Sequence, residues 1–457
     1  MAKSDNLRKA KAARNDNMEL QKDFPNVTKY MGSKTEVLDL IEEGCKYMNR
    51  NYNWVCDLFS GSATLAGALR NRANVISNDI QKYSSAFAEA YLNNYDWEKY
   101  PSIIDIADEA KSIYDRIMSA LPEYAERFDY HKEFTLEEFN NVETEARALI
   151  NRDDWSDFNG YYLFTKDYSG TYWGYKQCVA IDAYRSVIDS YKNYHEFYSL
   201  LLTCLMYAMA YNSQSTGHYA QYRIPDNDKS KEDILIYRRN TITNFFVRKY
   251  NELKSFLSVN NAYGFRTLAL TDDECLAEIP ERTLVYADPP YCFVHYSRFY
   301  HVLETLVDYD YPTVQFKGRY RNDRYQSDFC IRTKVADAFN EMFTGICDKK
   351  SDMILSYTNS KTNTIDFAVL LDTCFKAFNS EVYDAEKSEH EIDKCRRFFS
   401  GEDTNDTIVL MSENEYGDDL KYEIAMIKKP YNHSRMGRTK SKTIPVTEVV
   451  ILAKYLT

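Results

Sequence analysis

The chain has no long apolar run. Nowhere do its 457 residues hold the roughly 20 consecutive apolar positions that a membrane-spanning helix needs. Its opening, MAKSDNLRKAKAARNDN, lacks the apolar region of a signal peptide, so the expected location is the cytoplasm. Ten cysteines occur without CxxC pairs and without histidines at ligand spacing. They read as free structural thiols, and no metal site is expected. A positive balance is also lacking: 57 Lys and Arg against 69 Asp and Glu leave a net charge of −12 and a pI of about 5.3. A protein coated in positive charge is excluded, so any nucleic-acid site must be a local basic patch on an acidic body. What remains is a globular composition, 44% hydrophobic and 28% charged, in a chain long enough for one large core plus a second domain or large insertion. The 40 tyrosines suit base stacking, although a low-GC coding bias accounts for them more simply.

The stretch that organises the chain is Thr283–Tyr291, TLVYADPPY. Its apolar, β-rich first half reads as a buried strand, and the two prolines stop it. Asp288, Pro289, Pro290 and Tyr291 then sit at the carboxyl end of a strand, where open α/β sheets place their ligands. A carboxylate and the Pro289 carbonyl can each accept one hydrogen of a planar NH2 group, and Tyr291 offers a face for a stacked base. A bare strand followed by a Pro-Pro turn is the bland alternative.

Upstream, residues 1–24 read as a disordered basic tail with Arg8, Lys9, Lys11 and Arg14. Lys29-Tyr30-Met31-Gly32-Ser33-Lys34 enters an amphipathic helix over about 35–47, whose N-terminus favours an anionic ligand. A strand at 53–59 is followed by the turn Ser60-Gly61-Ser62 and a helix from Ala63. A further strand at 74–79 ends in Asp79, about twenty residues beyond the turn, where a carboxylate binds ribose hydroxyls. From 91 to 265 the strand–helix alternation lapses. Thr135 and Glu138 form a capping box, and 194–210 is an apolar helix. Tyr211–Pro225 mixes amides, hydroxyls and aromatics with Arg223, and Arg238 and Arg239 follow. The run 311–334 carries Lys317, Arg319, Arg321, Arg324, Arg332 and Lys334 beside Tyr320 and Tyr325. Both segments have the residue types that phosphates and unstacked bases need, and both also suit a solvated surface. Strands at 352–358, 422–428 and 446–454 complete the pattern, the last two joined by a basic segment (Arg435, Arg438, Lys440, Lys442) as a hairpin expected at the sheet edge.

KYMGSK at 29–34, DLFSGSATLA at 57–66, Asp79 after a strand and DPPY at 288–291 together resemble the Dam-like N6-adenine DNA methyltransferases, in that family's order; VTEVVILAKY at 446–455 is similar to its last strand. The resemblance spans both ends and is weak over 91–200 and 375–420. It implies S-adenosylmethionine as cofactor, held by Tyr30, Gly32, Lys34, Asp57, Phe59, Gly61, Asp79 and Asp272. It implies catalysis by Asp288, Pro289, Pro290 and Tyr291. DNA contacts are expected from Asn212, Tyr222, Arg223, Arg238, Arg239, Lys317, Arg319, Arg321 and Arg324. Tyr30 stands where tryptophan is commoner, and Ser33 and Ala63 where glycine is.

The expected fold is a Rossmann-like α/β mixed sheet with an antiparallel last strand and a mainly helical target-recognition insertion. The expected units are 25–90 and 266–457 for the methyltransferase halves and 91–265 for the insertion. The implied activity is methyl transfer to adenine N6 in a specific double-stranded DNA sequence, by base flipping, as a monomer with a cognate restriction endonuclease as an implied partner. Rival readings are another planar amine (cytosine, RNA adenine or a protein amide) and an inactive DNA-binding module.

Overall fold

The short apolar runs of the sequence form an eight-stranded sheet in the computed structural model, which describes residues 18–29, 38–214, 218–290, 297–358, 363–400, 405–432 and 445–456. In chain order the strands are β1 (Val55–Asp57), β2 (Val75–Asn78), β3 (Phe265–Leu268), β4 (Leu284–Ala287), β5 (Val314–Gln315), β6 (Tyr320–Arg321), β7 (Asp352–Thr358), β8 (Thr407–Met411), β9 (Tyr422–Asn432) and β10 (Pro445–Tyr455). The sheet runs β3-β2-β1-β4-β7-β10-β9-β8, while β5 and β6 form a separate hairpin. Strands β3 to β7 are parallel; β10, β9 and β8 are each antiparallel to the preceding neighbour.

Because side chains alternate across a strand, the two sheet faces feed different cores. Val55, Leu284, Tyr286, Ile354 and Val450 belong to one, and Cys56, Val285, Ala287, Met353 and Val449 to the other. Burial on both faces explains why these strands read as continuous apolar runs. The helix Leu38–Met48 lies close on the first face, since a β-carbon at Gly44 would stand 3.1 Å from Ile354. That same core continues without a break into the helices of the insertion, through Phe87 and Tyr91 to Leu201, Leu205, Phe246 and Leu253.

The structure corrects several expectations. The β9–β10 pair lies inside the sheet, because β8, unread in the sequence, takes the edge position. Strand β3 also went unread: its four residues are all only half-buried, so they show no apolar run. The segment following DPPY, expected to belong with the second methyltransferase half, is seated on the insertion. There Arg185 Nε donates to the Leu306 carbonyl at 2.9 Å, the Tyr309 hydroxyl to Asp182 at 2.6 Å and the Tyr172 hydroxyl to the Gly318 carbonyl at 3.0 Å. The end of the expected disordered tail is docked instead: Leu20 is buried, Gln21 N–H donates to the Ala68 carbonyl at 2.9 Å and the Phe24 ring meets Tyr91 at 5.8 Å, because apolar side chains there pack onto the first core. Residues 1–17, the segment Tyr30–Val37 and the basic connection between β9 and β10 lie outside the described residues.

Ala63, noted in the sequence as a replacement for glycine, has φ 53, in the left-handed region, with its methyl fully buried. An alanine there costs about 1–2 kcal/mol in backbone strain, against about 0.8 kcal/mol for the buried methyl it contributes. Ala63→Gly is therefore expected to leave stability equal or higher by up to about 1 kcal/mol. A clear drop in the urea midpoint would show that the methyl outweighs the strain.

Candidate active site

Three parallel strands end level. Asp57, at the end of β1, stands opposite Ser77 of β2 and Tyr286 of β4. Phe59, Asp79 and Asp288 therefore leave the sheet just beyond one shared row, on strands about 4.8 Å apart. The turn after β1 is stitched to both neighbours: Leu58 N–H donates to the Tyr286 carbonyl at 3.0 Å and Ser60 N–H to the Asn78 carbonyl at 2.8 Å. Gly61, at φ 54, then aims its N–H at Asp79 Oδ2, 2.9 Å away. The other Asp79 oxygen accepts the Gln81 N–H at 3.0 Å, which fixes the plane of the carboxylate. Asp57 itself is fully buried beneath the turn.

Asn78 is the joint behind this arrangement, and sequence reasoning missed it. Its Nδ2 donates to the Leu58 and Leu270 carbonyls, both at 3.1 Å, and its Oδ1 accepts the Leu270 N–H at 3.2 Å. One buried amide thus holds together the loops after β1 and β3. The only signal was a buried-strand sequence ending in an asparagine.

The loop after β3 brings in Asp272, the first residue of the helix Asp272–Glu278, capped by Thr271. Asp272 is half-buried, and burial, with the charges of Asp273, Glu341 and Asp328 behind it, pushes its carboxyl up to about 6. Burial first, and then the Asp272 charge, pushes the Tyr325 phenol up to about 12. Phe59 meets Phe329 edge to face, with ring centroids 5.4 Å apart. The result is a cradle at the carboxyl ends of β1, β2 and β3, with an aromatic wall, two carboxylates and a tight backbone turn.

At the end of β4, Pro289 is buried while Asp288 and Pro290 are half-buried. The Tyr286 hydroxyl just below donates to Ser356 Oγ at 2.8 Å. Burial, and next the Asp288 charge, raises that phenol far above its ordinary value. Tyr291, Tyr30, Gly32 and Lys34 lie outside the described residues. A second residue missed in the sequence links the two halves. Glu304, on the helix Ser297–Asp308 that follows this motif, accepts the N–H groups of Lys82 at 3.0 Å and Tyr83 at 3.2 Å. It thereby caps the helix that starts just after Asp79.

A family model described as D12 class N6 adenine-specific DNA methyltransferase matches residues 30–363. The chain belongs to this family. Among similar proteins, Modification methylase LlaI of Lactococcus lactis subsp. lactis is 22% identical over 396 residues, covering 84% of this chain and 55% of that protein. Modification methylase StsI of Streptococcus sanguinis is 23% identical over 340 residues, 72% of this chain and 44% of that one. Type II methyltransferase M.FokI of Planomicrobium okeanokoites is 23% identical over 322 residues, 69% of this chain and 42% of that one. The chain thus spans about half the length of these relatives.

In this D12-class chain the residues expected to touch DNA divide into two groups. Several are turned inward. Arg238 is fully buried, with its guanidinium on Glu143 at 2.8 Å and on the Thr171 and Tyr172 carbonyls. Asn212 is buried at the end of the helix His195–Asn212, donating to the Ala208 carbonyl at 2.7 Å. Arg239 bonds the Tyr130 carbonyl at 2.9 Å. Arg319 donates to the Asp167 and Arg147 carbonyls. Arg321, 6% exposed, is shared between Asp310 at 2.7 Å and Asp323 at 3.0 Å. The run 317–334 is not a uniform basic surface, because two of its arginines are structural. Facing outward are Arg223, paired with Asp233 at 2.8 Å, and Lys317, which stands 5.3 Å from the ring of half-buried Tyr222. Arg324 lies 4.8 Å over the Tyr320 ring.

Removing one partner of a buried ion pair strands the other charge, at about 3–5 kcal/mol. Arg238→Ala is accordingly expected to lower unfolding stability by roughly that amount, read from urea titration. A variant of unchanged stability that lost only DNA affinity would contradict the buried placement.

Proposed function

We propose that this chain methylates the exocyclic N6 amine of adenine in a specific duplex DNA sequence, with S-adenosylmethionine as the methyl donor. The observation that carries this reading is the parallel register that sets Asp288-Pro289 of β4 beside the Gly61–Asp79 cradle of β1 and β2. Membership of a family described by that activity supports it. The modification-methylase names of the relatives support a role in a restriction-modification pair, with a cognate endonuclease as partner.

The residues fit this donor. Asp79, its carboxylate oriented by two backbone N–H groups, stands where an acceptor for ribose hydroxyls is needed; Asp272 offers an acceptor for an adenine amine; Phe59 supplies a flat wall. Gly61 lets the backbone come close because no β-carbon stands there. Bound there, S-adenosylmethionine supplies a sulfonium methyl group. Asp288 and the Pro289 carbonyl each accept one hydrogen of the target amine and hold electron density on its nitrogen. The flipped base, extruded at a few kcal/mol of unstacking, lies against Tyr291. Positioning does most of the work, and no strong base is needed.

Digestion and modified-base sequencing of DNA treated with protein and S-adenosylmethionine tests the reading; unmodified adenine throughout would end it. Asp288→Asn should abolish methylation while cofactor binding stays within about threefold, since an amide presents a donor where two acceptor lone pairs are needed. Wild-type turnover in that variant would dismiss the proposed role. Cofactor affinity should also fall as pH drops through about 6, where Asp272 takes up a proton. Calorimetry on Asp272→Asn should find that slope gone. Persistence of the slope would assign it to another group.

A further inference from the structure

The hairpin β5–β6 holds an unusual side chain at its tip. Phe316 is 75% exposed, the most exposed of the large apolar residues described. An exposed phenylalanine ordinarily comes with a mobile loop, but here the opposite holds. The hairpin is clamped from below by the Tyr168 hydroxyl on the Arg319 carbonyl at 3.2 Å and the Tyr172 hydroxyl on the Gly318 carbonyl at 3.0 Å. The inward-turned Arg319 side chain fastens it to the Asp167 and Arg147 carbonyls, and the Tyr320 hydroxyl donates to the Ala220 carbonyl. Buried Arg321 closes the base on Asp310 and Asp323. Phe316 and Arg319 both have positive φ, 60 and 52, so the turn is held in a conformation that side-chain-bearing residues seldom adopt. The fold holds this apolar ring out in solvent.

The surroundings name its partner. The helix Ser297–Asp308, next in the chain after the Asp288 motif, packs its His301 ring 4.9 Å from Tyr320, and Tyr320 is 6.3 Å from Phe316. Around the tip stand Arg298, Lys317 and Arg324, and none of the three has a carboxylate within ion-pair distance among the described residues. Arg298 stands one turn before His301 on that helix, on the face turned to Tyr320, and Arg324 lies 4.8 Å over the same Tyr320 ring. In a protein of net charge −12, three cations with no ion-pair partner among the described residues, set around one apolar ring, complement a polyanion with a stacked apolar interior.

We propose that Phe316 is a wedge that enters the base stack of duplex DNA beside the target adenine, while Arg298, Lys317 and Arg324 hold the flanking phosphates. The inference rests on the DNA-methylating function proposed above. A ring inserted between base steps offsets the unstacking of the extruded nucleotide. The anchoring hydrogen bonds give it a fixed depth.

The test uses the full chain. Sites are first mapped by modified-adenine sequencing of DNA treated with the wild type. Single-turnover methylation is then compared on a duplex oligonucleotide carrying the site and on the same duplex with an abasic position opposite the target adenine. Phe316→Ala should slow the paired duplex on the order of ten- to a hundredfold, stay within about threefold of wild type on the opened one, and be rescued by Phe316→Trp. Equal rates of wild type and Phe316→Ala on the paired duplex, or an equal loss on both substrates, overturn the wedge. So does a wild-type dimer that Phe316→Ala dissociates in sedimentation, which would assign the ring to a second copy. Wild-type protein that methylates neither duplex refutes the function itself, a result distinct from all of these.

Discussion

The hydrogen bond from the Gly61 amide to the Asp79 carboxylate is the constraint on which the site depends. It ties the turn after β1 to the end of β2, and it works only because the two strands are parallel and in register. Asn78 makes the same connection one residue earlier, from inside the sheet, and extends it to the loop after β3. Neither group acts on the base to be modified. Both set where the acceptors that face a ligand stand, and in a low-dielectric cradle position decides how strongly a carboxylate pulls on a bound hydroxyl or amine.

The two halves of the site are joined by a carboxylate as well. Glu304 leaves the helix behind the DPPY motif to cap the helix behind Asp79, and Lys82 pairs with Asp308 one turn further on at 2.7 Å. A displacement of the segment after Asp288 is felt at the N-terminus of that second helix. Burial pushes the Glu304 carboxyl up to about 7 even though it accepts two N–H groups.

Much of the sheet was legible in the sequence because its strands are buried on both faces. VCD, VISN and LVYA are short apolar runs that end in turn or acid signals, and their order matched the family resemblance. The strand β3 was not legible, since an edge strand of half-buried residues has neither an apolar run nor a strict alternation. The edge strand β8 was missed in the stretch where the resemblance lapses. The arginines of 317–334 show a different limit. Sequence can count guanidinia but cannot say that Asp310 and Asp323 lie against one of them or that backbone carbonyls surround another. Asn78 and Glu304 were unreadable for the same reason: their partners are remote in the chain and belong to the backbone.

The unbroken apolar core that runs from one sheet face into the insertion has a consequence for how such enzymes diversify. Leu201, Leu205, Phe246 and Leu253 belong to the same contiguous core as Val55, Leu284 and Ile354. The insertion in this architecture is not a separable cassette. Transplanting the insertion into a relative would expose an apolar face on both donor and recipient, and the two parts should melt as one cooperative unit. Change that this fold tolerates falls on the loops and the hairpin that stand on this body, with the shared interior left intact.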